Sequence, residues 1–218
     1  MNESFCLAGI LSFVPDAVVL ANGDYPVHDY PLSLLNSVPY VVCCDGAGTS
    51  FMAHGRKPDA IVGDGDSFSN EYRELCAGIL HRIPDQETNV LTKAISFLLR
   101  RGFRRVVILG ATGKREDHTM GNIALLMEHA PSFEKLAMVT DFGVFLPCRE
   151  TQVFTSIPHG QVSLFNFGAA HMRSEGLVYP IRAFSKWWEG TLNEASSSSF
   201  TVYADGDYMV YIAYEVKG

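Results

Sequence analysis

Five short apolar runs, each stopped by a small or acidic turn, constrain the fold more than anything else in the sequence. Ala17 to Leu20 (AVVL) ends in Ala21-Asn22-Gly23-Asp24, and Tyr40 to Cys44 (YVVCC) meets Asp45-Gly46-Ala47-Gly48. Ala60 to Val62 leads into Gly63-Asp64-Gly65-Asp66, Val106 to Leu109 (VVIL) meets Gly110-Ala111-Thr112-Gly113, and Leu136 to Thr140 meets Asp141. Helical stretches lie between several of them, notably Asn89 to Arg101 and His118 to His129. Strands alternating with helices predict a parallel sheet with helices on both faces. Ligands of such sheets bind beyond the carboxyl ends of the strands, so the glycine and aspartate turns mark where a site would gather.

After residue 142 the pattern changes. Val144 to Leu146, Gln152 to Thr155, Val162 to Phe165, Phe200 to Tyr203 and Tyr208 to Ala213 are short, β-branched and aromatic, with Gly, Pro and Ser between them. They predict a small antiparallel β domain, with Glu194 to Ser199 as a polar loop. A chain of 218 residues, 47% hydrophobic, can bury a sizeable core as one large domain or two small ones. Its net charge of -7 argues against non-specific nucleic-acid binding and tolerates a cationic substrate. Cys6, Cys43, Cys44, Cys76 and Cys148 are odd in number and lack C-x-x-C spacing, which predicts reduced thiols and a cytoplasmic protein. Residues 5 to 14 are apolar but follow Glu3 with no basic segment, so they read as a first core strand rather than a signal peptide. No run approaches the length of a membrane span.

Asp64 and Asp66 stand two residues apart, and an extended backbone points both carboxylates to one side. Like charges so placed need a cation or a shared proton. Mg²⁺ with a phosphate substrate answers that need, because Mg²⁺ takes one or two protein carboxylates and fills its shell with water and phosphate oxygens. The competing reading is an Asp-Gly surface turn. Gly110 to His118 (GATGKREDH) offers backbone N–H groups and a helix N-terminus to phosphate, with Lys114 and Arg115 adding positive charge. Its spacing is neither G-x-x-x-x-G-K-[ST] nor G-x-G-x-x-G; alone, Asp117 and His118 read as a helix cap and a solvated imidazole. Asp85 to Lys93 (DQETNVLTK) introduces a helix. Either Thr88 or Asn89 caps it with Lys93 on the exposed face, or Gln86 and Lys93 approach phosphates. Trp187, Trp188 and Tyr211 offer aromatic faces that suit a ligand cation, or serve as core.

Taken in order, CDGAG, PDAIVGDGDSF, DQETNVLTK and GATGKREDHTMGN, followed by SLFNFG, GLVYPI and TLNEASSSSF, resemble the thiamine pyrophosphokinase family over nearly the whole chain. The resemblance implies an α/β catalytic domain over 1–141 and an antiparallel β-sandwich domain over 142–218. It implies Mg²⁺-dependent transfer of pyrophosphate from ATP to the hydroxyl of thiamine. A homodimer is implied too, with thiamine held between the α/β domain of one subunit and the β domain of the other. By motif position Asp64 and Asp66 are metal ligands, and they form the catalytic set with Arg115 and Asp117. Asp45, Gln86, Lys93, Gly110, Thr112, Gly113 and His118 serve nucleotide and phosphates. Asn193 falls at the family's SN motif, and Tyr211 where a tryptophan is common. One position departs: the family's D-Q-x-x-T-D-x-x-K has aspartate where this chain has Val90. Valine cannot ligate Mg²⁺, so Asp64 and Asp66 suffice with water, or Glu87 or Asp45 substitutes, or activity is reduced. The alternatives are a non-catalytic thiamine or nucleotide binder and an ATP-dependent kinase of another hydroxylated small molecule.

Overall fold

The computed structural model describes residues 9–64, 75–85 and 87–216. They divide into two compact units: Val14–Thr140, and the chain from Asp141 onward together with the described residues ahead of Val14.

In the first unit, β1 (Ala17–Leu20), β2 (Val41–Cys44), β3 (Ala60–Gly63), β5 (Arg105–Leu109) and β6 (Lys135–Val139) realise the five apolar runs. Every residue of β1, β2 and β3 is buried, as is all but the first of β5 and β6. Continuous apolar runs suit strands covered on both faces. A sixth strand, β4 (Leu80–Arg82), pairs with β3 at the edge and is only half-buried. The order is β6-β5-β1-β2-β3-β4, with every pair parallel. Right-handed crossovers therefore set α1 (Asp29–Ser37) and α2 (Ala47–Ala53) on one face, and α3 (Val90–Arg100) and α4 (Glu116–His129) on the other.

Helix α3 shows how sequence dictates its bounds. Leu91, Ala94, Ile95 and Leu98 recur at helical spacing and are at most 4% exposed, forming the stripe that packs over β1, β2 and β3. Asn89 caps the start, accepting from the Thr92 N–H at 2.8 Å. At the other end Gly102 adopts φ +88, so that its N–H reaches Leu99 O (3.0 Å) and the Phe103 N–H reaches Leu98 O (3.2 Å). That double return satisfies carbonyls which the helix leaves open.

The expected first core strand is corrected in its described part. Residues 9–14 are turns and bends; Ile10 and Leu11 are buried without strand pairing. Pro15, which lacks an N–H, closes the stretch. Residues 5–8 lie outside the described residues.

The second unit is antiparallel. β11 (Ser199–Val216) pairs along its length with β7 (Gly143–Thr155) on one side. On its other side it pairs first with β9 (Met172–Glu175) and then with β8 (Gly160–Asn166), which in turn carries β10 (Asn193–Glu194). Four of the five short strands read from the sequence merge into two long ones, β7 and β11, and the fifth is β8. Residues Ala204 to Asp207 (ADGD) form register shifts within β11 rather than a turn. Asp205 Oδ1 steadies the irregularity, accepting from the N–H groups of Ala170 (3.1 Å) and His171 (2.8 Å).

Gly102→Ala should lower stability by roughly 1 kcal/mol, the cost of a left-handed backbone for a residue with a Cβ. No neighbouring atom lies within 4 Å of the added methyl, so the loss would come from the backbone alone. Urea denaturation measures it, and an unchanged midpoint would contradict this account of the helix end.

Candidate functional site

Strand order reverses between β1 and β5, and the loops leaving them are zipped together. The Ala21 N–H donates to Leu109 O (2.8 Å), Gly23 N–H to Gly110 O (2.7 Å) and Asp24 N–H to Thr112 O (2.9 Å). Only glycine permits this approach, since a Cβ on Gly23 would stand 2.3 Å from Thr112 O. Lys114 turns its ammonium back onto Asn22 O at 2.9 Å, so its charge reinforces the zip. Beyond it α4 begins at Arg115 with no side-chain cap, leaving N–H groups that can receive an anion. Arg115 and Asp117 form a bidentate pair, Nη2 to Oδ2 at 2.6 Å and Nε to Oδ1 at 3.1 Å, with both side chains exposed. The Arg115 hydrogen bond holds the Asp117 carboxyl below the usual carboxylate range. His118 is exposed beside it.

Acidic groups gather at the ends of β2 and β3. Asp45 is 5% exposed and has φ 39, a conformation that costs an L-residue energy and is tolerated best by Asp and Asn. Its side chain lies over Gly63: a Cβ there would fall 2.7 Å from Asp45 Cβ and 3.2 Å from its Oδ1. Asp64 follows at once, half-buried. Carboxylates at the ends of two neighbouring strands suit Mg²⁺, which takes only one or two from a protein. Among the described residues no group of three or more His, Cys, Asp or Glu is placed to hold a metal.

The turn from β4 to α3 borders these groups. The Asp85 carboxylate accepts from the Thr88 hydroxyl and from the Glu87 N–H (2.8 Å). Those bonds, Thr88 first, hold its carboxyl below the usual range. Their support is therefore present at neutral pH and is lost as pH falls through that lowered value. Val90 opens α3 with its carbonyl 3.9 Å from the thiol of Cys44, next to Asp45. Lys93 is not on an exposed face. It is 5% exposed, and its ammonium donates to Ile83 O (3.1 Å) and to Asp85 O.

In the second unit a cavity of about 410 Å³ is lined by Tyr179, Ile181, Phe184, Trp188, Glu189 and Asn193, among others. Asn193 is buried and clamps the wall: its Nδ2 donates to Tyr179 O (2.7 Å) and its Oδ1 accepts from the Tyr179 N–H (3.2 Å). Leu192 beside it has φ 61, a strained conformation for a bulky residue. Trp187 and Trp188 are 41% and 69% exposed, so neither is core. Tyr211 does not line this cavity. It packs against Phe145 with the rings tilted at 48° and their centres 4.5 Å apart, within β11.

Two family models match this chain. The thiamin pyrophosphokinase catalytic domain matches residues 32–139, and the thiamin pyrophosphokinase substrate-binding domain matches residues 143–211. The chain belongs to the thiamin pyrophosphokinase family. The catalytic-domain match holds the acidic strand ends and the glycine loop, and the substrate-binding match holds the cavity. Thiamine pyrophosphokinase 1 of Oryza sativa subsp. japonica is 37% identical over 100 residues, 41% of this chain and 38% of that protein. Thiamin pyrophosphokinase 1 of Caenorhabditis elegans is 31% identical over 111 residues, 46% of this chain and 44% of that protein. The matches thus span less than half the length of these curated relatives. The fold matches thiamin pyrophosphokinase from Candida albicans (TM-score 0.76, 17% identity, 92% of this chain and 90% of that one). It also matches the enzyme from Bacillus subtilis (TM-score 0.76, 19% identity, 92% and 99%).

Of the residues singled out in the sequence, Asp45, Asp64, Gly110, Thr112 and Gly113 stand at strand ends of one sheet, with Arg115, Asp117 and His118 at the adjoining helix head. Asp66 and Gln86 lie outside the described residues. The sequence reading missed Asn22 as the partner of Lys114, and Tyr179 and Phe184 as cavity walls.

Gly63→Ala should force the Asp45 side chain aside, because the clash is with its Cβ rather than a mobile tip. We expect a folded protein whose turnover drops by about tenfold or more, the scale of disturbing one preorganised charged group. Circular dichroism and steady-state assay check the pair of outcomes.

Proposed function

We propose that this chain transfers pyrophosphate from ATP to the hydroxyl oxygen of thiamine, acting as a cytoplasmic homodimer. The observation that carries the reading is that Asp45 and Asp64 follow the ends of neighbouring strands, with the Asp45 side chain over Gly63, in the sheet whose glycine loop opens α4. The thiamine oxygen bonds to the β-phosphorus of ATP while the bond from that phosphorus to the α–β bridging oxygen breaks, and AMP leaves. The hydroxyl proton passes to a carboxylate. Pairing with Arg115 favours the ionised form of Asp117, which leaves it free of a proton but a weaker base. Asp64, with Asp66 and Asp45, would hold Mg²⁺, whose charge would offset that of the phosphate oxygens. Gly110, Thr112 and Gly113 line the phosphate path, with Gln86 and His118 toward the nucleotide, and Arg115 faces the charge that develops on transfer. The second unit takes thiamine: the aromatic walls Tyr179, Phe184 and Trp188 suit a flat cationic ring, in a cavity that Glu189 and Arg182 both line. Asn193 shapes that wall through Tyr179, whereas Tyr211 lies outside the cavity against Phe145.

The products decide the reading. With thiamine, ATP and Mg²⁺ a pyrophosphokinase makes AMP, a kinase makes ADP, and a binder makes neither. Asp64→Asn should lower AMP formation by about 10²-fold or more, the scale of losing one preorganised electrostatic group. Near-normal turnover in that variant would rule out its metal role.

Val90 favours a weakened metal site. Val90→Asp adds a carboxylate at a helix head, where negative charge is favoured by roughly 0.3–1 kcal/mol. It should lower the Mg²⁺ concentration for half-maximal activity without unfolding the protein. If Glu87 already fills the vacancy, Glu87→Gln should instead cripple the enzyme; no shift in either variant would separate this segment from the metal.

A further inference from the structure

We propose that Lys93 is a positioning residue, holding the β4–α3 turn against the strand end that carries Asp64, and that it does not contact the nucleotide. The inference rests on reading that strand end as the phosphate site. Its basis is where the ammonium is spent. Lys93 occupies the first turn of α3, where the helix dipole disfavours a cation. It is nonetheless 5% exposed, one turn before the buried Phe97 and off the stripe of Leu91, Ala94 and Ile95. A buried ammonium must find acceptors. Those it finds are the Ile83 and Asp85 carbonyls, not a side chain open to a ligand.

Ile83 links this contact to the acidic site. Its N–H donates to Gly63 O at 2.9 Å, the carbonyl immediately before Asp64, while its own carbonyl receives Lys93. Asp85 extends the hold, since its carboxylate pins the Glu87 N–H and the Thr88 hydroxyl ahead of the Asn89 cap. One cation therefore sets both ends of the turn and, through Gly63, the backbone from which Asp64 projects and over which Asp45 lies. Without it the Ile83 and Asp85 carbonyls lose the donor that ties them to α3, and the turn keeps only its internal bonds.

Three full-length proteins test this: wild type, Lys93→Met and Lys93→Gln. Methionine keeps the volume and removes every donor; glutamine restores two N–H donors without charge. Hydrogen–deuterium exchange without substrates should show peptides over 83–89 exchanging at least about tenfold faster in Lys93→Met, with β1 and β2 unchanged. Lys93→Gln should exchange close to wild type. In assay, Lys93→Met should raise the Mg²⁺ requirement and lower kcat by about tenfold with KM for thiamine unchanged, and Lys93→Gln should recover most of the loss. Wild-type exchange in Lys93→Met combined with weakened ATP binding in both variants would overturn the proposal in favour of a direct charge contact. If Lys93→Met does not fold, Lys93→Gln alone decides: activity near wild type supports positioning, and loss of ATP affinity overturns it. The exchange measurement needs no substrate, so it stands apart from the question of whether the chain makes AMP.

Discussion

Burial on both faces governs the Val14–Thr140 unit. β1, β2 and β3 carry no polar side chain that could face water, and each is only four residues long. Polar chemistry is thereby expelled from the strands and concentrated where they end. The same pressure fixes direction: parallel strands bring all their carboxyl ends to one edge, so turns distant in sequence share one rim. Asp45 and Asp64 become neighbours because Cys44 pairs with Val62 across adjacent strands. Their proximity is a result of register, and any sequence that preserved these buried runs in this order would create it.

Charge at that rim is paired even where it is exposed. Lys114 is spent on Asn22, Arg115 on Asp117, and Lys93 on two carbonyls. Two of these three cations fix loops rather than wait for a ligand. The arrangement suits a site that must position multiply charged phosphates, where rigid donors cost no reorganisation when charge moves.

What the sequence revealed followed burial. Five strands were legible because their side chains are apolar without interruption; β4, with His81 and Arg82, was not, being a half-exposed edge. Helix α3 advertised itself through its stripe and cap, whereas α2 (AGTSFMA) is short and contains glycine, and α1 carries Pro31 in its first turn. In the second unit ADGD imitates a turn, and only pairing to β7 on either side reveals one continuous strand. Lys93 could not be read as buried, since a cation at a helix start looks solvated until its acceptors are known. The cavity wall from Tyr179 to Trp188 has no periodicity to follow. It is held instead by single bonds such as those of Asn193, which are decided by tertiary contacts.

The shifts within β11 bear on how this unit tolerates change. A strand of 18 residues would ordinarily be intolerant of insertion, because one added residue turns every later side chain to the opposite face. Here Ala204 to Asp207 uncouple the two halves: Thr201 to Ala204 keep step with β9, and Tyr208 to Ile212 keep step with β8. The segment works as a slip joint. A change of length confined to it would leave Tyr208, Val210 and Ile212 buried, at the cost of the bonds that Asp205 makes to Ala170 and His171.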